Sequence, residues 1–199
     1  MNYSPILIVA GEPNSIFLEI FFKILKKNKI LSPLILITSN KLLTMQMRKL
    51  RFKKKIKILN PLLLDKYKLD NKSINLINVE YNPKKAFEKI SKKSNKFIEN
   101  SFKLAFTIIK KHKIHKFING PISKKTFLNK KFLGITEYIS KKFKIKYNCM
   151  LIYNKNLSVC PITTHLPVKL IIKQINKKII IDKVSLISAF YKKKFGLKP

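Results

Sequence analysis

The sequence predicts an α/β fold, a sheet of parallel strands with helices on both faces, from three observations. Ile6-Leu7-Ile8-Val9-Ala10 is a continuous apolar run that gives way to a turn and then to apolar residues at helical spacing. Leu34-Ile35-Leu36-Ile37-Thr38 repeats that pattern just after Pro33. Neither run alternates with polar residues, as expected of parallel strands covered on both sides.

The opening strand leads into Gly11-Glu12-Pro13-Asn14-Ser15, and from Ile16 the residues Phe17, Ile20, Phe21 and Ile24 recur with helical period, with Asn14 or Ser15 as N-cap. After the second strand, Ser39 or Asn40 caps a helix carrying Leu42, Leu43 and Met47 toward Leu50. A short strand, Ile56 to Leu59, ends at the Asn60-Pro61 turn. Residues 61–82 are the least regular, with Asp65, Asp70 and Asn71 as turn formers, and read as an excursion from the sheet. Asn82-Pro83 offers an N-cap and an N1 proline for a helical stretch running to about His112, interrupted near Ser91 to Ser94. Its second part carries Phe97, Ile98, Phe102, Ala105, Phe106 and Ile109 on one broad face.

The strand Lys116-Phe117-Ile118, the loop Asn119-Gly120-Pro121 and a helix from about Ser123 follow. Asn148 to Tyr153 and Leu157 to Ile162 suggest a strand pair turning at Asn154-Lys155-Asn156. A last helical stretch, Val168 to Phe195, breaks near Ile175-Asn176, and Gly196 suits its C′ position. Residues 1–199 are expected to form a single α/β unit.

Charge is the most conspicuous compositional feature: 44 Lys+Arg against 9 Asp+Glu give a net +35. Such a balance points toward polyanions, but Arg48 and Arg51 are the sole arginines and the lysines are spread along the whole chain. Lysine, isoleucine and asparagine share A/T-rich codons, so solvated lysine faces are the expectation, with nonspecific nucleic-acid adhesion at low salt. Lys53 to Lys55 and Lys192 to Lys194 form local clusters. Lysines interrupt every apolar run well short of the roughly 20 residues a membrane helix needs, so a soluble cytoplasmic protein is expected. Cys149 and Cys160 lack metal-site spacing and read as buried small hydrophobes, and His112 and His115 read as surface residues.

Three local patterns carry a resemblance. Gly11-Glu12-Pro13, with Ile16 and Glu19, is the first; Asn119-Gly120-Pro121-Ile122-Ser123-Lys124 followed by Gly134-Ile135-Thr136-Glu137-Tyr138 is the second; Thr163-Thr164-His165-Leu166-Pro167 is the third. In this order they resemble the 4-hydroxythreonine-4-phosphate dehydrogenase family of pyridoxal phosphate biosynthesis. That resemblance implies an isocitrate/isopropylmalate dehydrogenase-like α/β/α fold, with the chain corresponding to the N-terminal part and the C-terminal half missing. It further implies NAD and a divalent metal (Zn, Mg, Mn or Co) as cofactors, a small phosphorylated hydroxy-amino acid as substrate, and a homodimer. The implied reaction is oxidation of 4-phosphooxy-L-threonine followed by decarboxylation.

Residue by residue, the resemblance gives Lys124 a positive charge for a phosphate or carboxylate, Thr136 a hydroxyl for the substrate, and His165 a place among the metal ligands. Ile135 stands where the family has a substrate-contacting histidine, and it can neither donate, accept nor titrate. Ser15, Phe17 and Leu18 replace the later Gly, Gly and Pro of the first pattern, so that loop is either an altered ligand loop or an ordinary βα turn. The alternative function is a noncatalytic basic binding protein, for nucleic acid or a partner subunit, that keeps the fold.

Overall fold

The structure is a computed structural model that describes residues 3–27, 29–128, 131–145, 147–164 and 166–199. The backbone divides into two compact units, Met1–Lys130 and Lys131–Pro199.

In the first unit, β1 (Ile6–Val9), β2 (Leu34–Thr38), β3 (Ile56–Ile58), β4 (Ile74–Asn78) and β5 (Lys116–Asn119) form one sheet in the order β3-β4-β2-β1-β5. Every pairing is parallel, with Ile8 opposite both Leu36 and Ile118. Side chains alternate across a strand, and that alternation sorts the core. Ile8, Ala10, Leu36 and Leu76 face Leu18, Phe21 and Phe22 of α1 (Phe17–Lys27) and Leu42, Leu43 and Met47 of α2 (Asn40–Lys49). On the opposite face α3 (Asn95–Lys111) packs against β1 and β2 and brings Phe102 and Phe106 edge-on to Phe117, each 6.4 Å away. β2 is buried along its entire length. The expected parallel α/β sheet with helices on both faces is what the unit contains.

Two expectations fail here. Residues 74–78, read as part of an excursion, are the interior strand β4. Asn75 and Asn78 lower its apparent β-propensity, yet Asn75 is buried because its amide donates to the Leu34 and Asp70 carbonyls at 2.9 and 2.6 Å. Asn71 does similar work, accepting from the Leu34 amide and donating to the Ile30 and Ser32 carbonyls. Nor does Asn82-Pro83 start a helix; residues 83–91 run irregularly, and α3 begins only at Asn95 after a 3₁₀ turn, Lys92–Ser94. His112 is another correction: its ring is buried, with Nδ1 2.9 Å from the Asp65 carboxylate and Nε2 3.0 Å from the Pro61 carbonyl. The long-range pair ties the end of α3 to the irregular segment, which spacing along the chain does not reveal.

The second unit contains α4 (Ile135–Phe143), α5 (Val168–Gln174) and α6 (Lys177–Phe195). The break between α5 and α6 falls at Ile175-Asn176 as expected, with the Asn176 side chain accepting from the Ile179 amide, and Gly196 closes α6 at φ +68°. The expected strand pair reduces to one antiparallel bridge, Ile152 to Val159. Cys149 and Cys160 are half-buried rather than buried. Desolvation pushes the Cys149 thiol above its ordinary range, and the neighbouring Cys160 adds to the shift.

Candidate active site

In a doubly wound sheet, ligands bind beyond the carboxyl ends of the strands where the winding reverses. Here the chain winds from β1 toward β3 on one side and returns to β5 on the other, so that crevice lies between β1 and β5.

The two loops there are interlocked. The Gly120 amide donates to the Val9 carbonyl at 2.7 Å, and the Glu12 amide donates to the Pro121 carbonyl at 2.8 Å. Gly11 sits at φ +77°, and a Cβ built on it would fall 2.4 Å from the Pro121 oxygen. A Cβ on Gly120 would fall 2.0 Å from the Ala10 oxygen. Glycine is required at both positions because backbone meets backbone.

Several donors of this turn are already engaged. Besides Glu12, the amide of Asn14 donates to the Glu12 carboxylate, that of Ser15 to the Glu12 carbonyl, and that of Phe17 to the Ser15 hydroxyl. An anion at a helix N-terminus needs open N–H groups, and the amides of Glu12, Asn14, Ser15 and Phe17 are not open.

Glu12 belongs to the first pattern, which does not reveal its contacts, and the structure makes it a buried hub. Its carboxylate accepts from the Ser94 hydroxyl at 3.0 Å and from the Asn14 amide at 3.3 Å. Asn14 in turn accepts from the Glu88 amide, and Gln46 donates to the carbonyls of Pro13 and Ala86 at 2.9 and 2.8 Å. Together these bonds hold residues 81–94 against the carboxyl ends of the strands. Tyr81 packs on Phe97 with ring centroids 4.9 Å apart, and burial raises its hydroxyl pKa, with Glu88 contributing.

Lys124 follows directly on this crevice. It is exposed and begins a single π-helical turn, Lys124–Leu128, a rare conformation that recurs at functional sites. The turn is fastened by the Asn95 amide, which donates to the Thr126 carbonyl at 2.8 Å. Asn95 Oδ1 and Thr126 Oγ1 are buried with no hydrogen-bond partner among the described residues, so polar atoms with spare capacity sit within this turn. Sequence spacing gave no signal for either.

Thr136 belongs to the second unit, half-buried in the first turn of α4 next to Ile135. Beside it, Glu137 accepts from the Thr164 hydroxyl at 3.3 Å, while its other oxygen, Oε2, is buried without a partner among the described residues. This bond joins the Gly134–Tyr138 pattern to the Thr163–Pro167 pattern. His165 itself lies outside the described residues. Among the described residues no group of three His, Cys, Asp or Glu could hold a metal, and no helix is long and apolar enough to cross a membrane.

Known proteins resemble this chain in sequence and in fold. The family model described as "Pyridoxal phosphate biosynthetic protein PdxA" matches residues 29–199. The 4-hydroxythreonine-4-phosphate dehydrogenase of Sulfurihydrogenibium sp. (strain YO3AOP1) is 34% identical over 126 residues, 62% of this chain and 38% of that protein. The enzyme of that name from Aquifex aeolicus (strain VF5) is 34% identical over 90 residues, 43% of this chain and 28% of its own length. Solved structures of 4-hydroxythreonine-4-phosphate dehydrogenases from Burkholderia phymatum and Klebsiella pneumoniae superpose with TM-scores of 0.79 and 0.81 at 19% and 16% identity. Those superpositions take in 94% and 96% of this chain but 58% and 59% of theirs, and at such identity the likeness is one of fold. The chain thus spans less than two thirds of the length of these proteins.

Proposed function

The chain belongs to the pyridoxal phosphate biosynthetic protein PdxA family, and from that premise we propose that it serves the oxidation of 4-phosphooxy-L-threonine, followed by decarboxylation, as a divergent member. The supporting observation is the Thr164–Glu137 hydrogen bond, which brings two of the family's patterns together around Thr136.

In this reading the Lys124 ammonium meets the substrate phosphate or carboxylate, and the Thr136 hydroxyl hydrogen-bonds the substrate. His165 contributes one ligand to a divalent ion. The described residues alone do not complete that set. A divalent ion held there would supply polarisation of the substrate hydroxyl, and NAD would supply the hydride acceptor. Ile135 cannot move a proton, so that task falls to another group. A homodimer belongs to the same proposal, supported by the apolar side chains that α5 and α6 leave exposed, such as Val168 and Ile172.

The test is NADH formation from 4-phosphooxy-L-threonine with a divalent metal. It compares the 199-residue chain with a fusion to the C-terminal part of the Sulfurihydrogenibium relative. Turnover by the fusion, reduced about a hundredfold by Thr136→Ala or Lys124→Ala, is the expected result. A correctly folded fusion that is inactive under conditions where the relative turns over would reject the catalytic reading and favour the noncatalytic alternative, for which Ile135 and the charge of +35 speak.

A further inference from the structure

The sole arginines of this chain lie three residues apart, and the structure places both on one groove. An open cavity of about 970 Å³ is lined by Met47, Phe52 and Ile56 as an apolar floor and by Arg48, Arg51, Lys53, Lys54 and Lys55 as a basic rim. Phe52 is fixed in the core by stacking on Phe22 at 4.5 Å. Arg48 and Arg51 are exposed, and among the described residues neither guanidinium forms an ion pair.

The end of α2 sets this arrangement. There the Phe52 amide donates to the Met47 carbonyl and the Arg51 amide to the Arg48 carbonyl, which puts Arg51 at φ +50°. That is a left-handed position where glycine is the usual occupant. The carboxyl end of α2 carries about half a negative charge, far too little to offset five cations. The groove also lies apart from the proposed active site: residues 53–55 enter β3 at its amino end, whereas the β1–β5 crevice opens at the carboxyl ends of the same parallel sheet.

We propose that this groove binds single-stranded nucleic acid, with backbone phosphates on the basic rim and a base or ribose against Met47, Phe52 and Ile56. Guanidinium forks match phosphate oxygens in pairs, and a phosphate at every nucleotide matches the five rim cations, which with Lys49 make six within the eight residues Arg48 to Lys55. The net charge of +35 supplies long-range attraction for such a polyanion. A concave floor below the rim suits a strand laid into it better than a flat bilayer surface.

Binding of a fluorescein-labelled oligo-uridine to the 199-residue chain, followed by anisotropy across a salt series, tests this. Near physiological salt, the double variant Arg48→Ala/Arg51→Ala is expected to bind about tenfold more weakly, with a log–log salt slope shallower by roughly 0.7 for each phosphate no longer neutralised. Lys192→Ala/Lys193→Ala removes the same charge from α6 and should cost less than about twofold. Arg48→Lys/Arg51→Lys, which keeps charge and fold, should restore binding only partly. Equal weakening by the arginine and lysine variants would overturn the proposal in favour of diffuse charge. Displacement of the oligonucleotide by poly-glutamate at matched ionic strength and charge concentration would overturn it in favour of an acidic protein partner.

Discussion

Phe102, Leu36 and Ile98 of the first unit are completely buried, while the aliphatic residues Val168 and Ile172 of the second are 80% and 85% exposed. Among the described residues, α5 and α6 hold no buried side chain at all. The difference is one of architecture. A five-stranded parallel sheet offers two faces, and α1, α2 and α3 cover both. The second unit has, among the described residues, no sheet, one isolated bridge, and an open aromatic cluster in which Tyr153 and Phe195 stack 5.2 Å apart. Apolar burial dominates folding free energy, so the first unit holds a packed core of its own while α5 and α6 of the second contribute no buried side chain.

Core truncation should break the comparison most visibly. Phe102→Ala is expected to cost about 3–5 kcal/mol in denaturant unfolding, and Ile172→Ser no more than about 0.5 kcal/mol. Similar costs for the two would mean that Ile172 is covered in solution, which dimer formation would explain.

Next in size is the interlock of the β1 and β5 loops. Gly120→Ala forces a Cβ to 2.0 Å from the Ala10 oxygen, an overpacking expected to cost about 1–3 kcal/mol. Gly196→Ala, where nothing lies within 4 Å, exchanges only the φ preference at +68°, about 1 kcal/mol. Equal destabilisation by the two would show that the loops relax apart at little cost.

Limited proteolysis sharpens the same contrast. Cleavage is expected within 145–199 before any cut in 34–119, because chain segments with few buried apolar contacts open at lower free energy. Early cleavage inside the first unit, read by mass spectrometry, would reverse the assignment.

The smallest effect concerns Glu88, whose carboxylate accepts from the amides of Lys84 and Lys85 at 2.7 and 3.2 Å. These bonds, ahead of the nearby lysine charges, hold its pKa below the ordinary value. A lowered folded pKa gives stabilisation that is present above the unfolded value and lost as pH falls through the folded one. The Tm advantage of the wild type over Glu88→Gln should therefore be slight at neutral pH and vanish in acid; an advantage that persists in acid would show that the carboxylate charge is immaterial.

The elements legible in the sequence are β1, β2, α1, α2, the second part of α3, the short strands β3 and β5, and the α5–α6 break at Ile175-Asn176. The candidate residues were legible differently. Lys124 and Thr136 were singled out by motif, and the structure puts one on a π turn after β5 and the other on the first turn of α4, while His165 falls outside the described residues. Asn95 and Thr126 gave no signal, and the motif that includes Glu12 and the surface reading of His112 did not reveal their contacts, since each of the four owes its position to a partner dozens of residues away.

By itself the sequence determined the parallel α/β class, because uninterrupted aliphatic runs punctuated by helical spacing have few other ways to bury themselves. Tertiary structure alone decided that an asparagine-bearing segment becomes β4, that the turn after β1 spends its own donors, and that Arg48 and Arg51 share a groove. Those outcomes depend on which carbonyls and side chains long-range pairing brings within hydrogen-bond reach, and no local pattern encodes that distance.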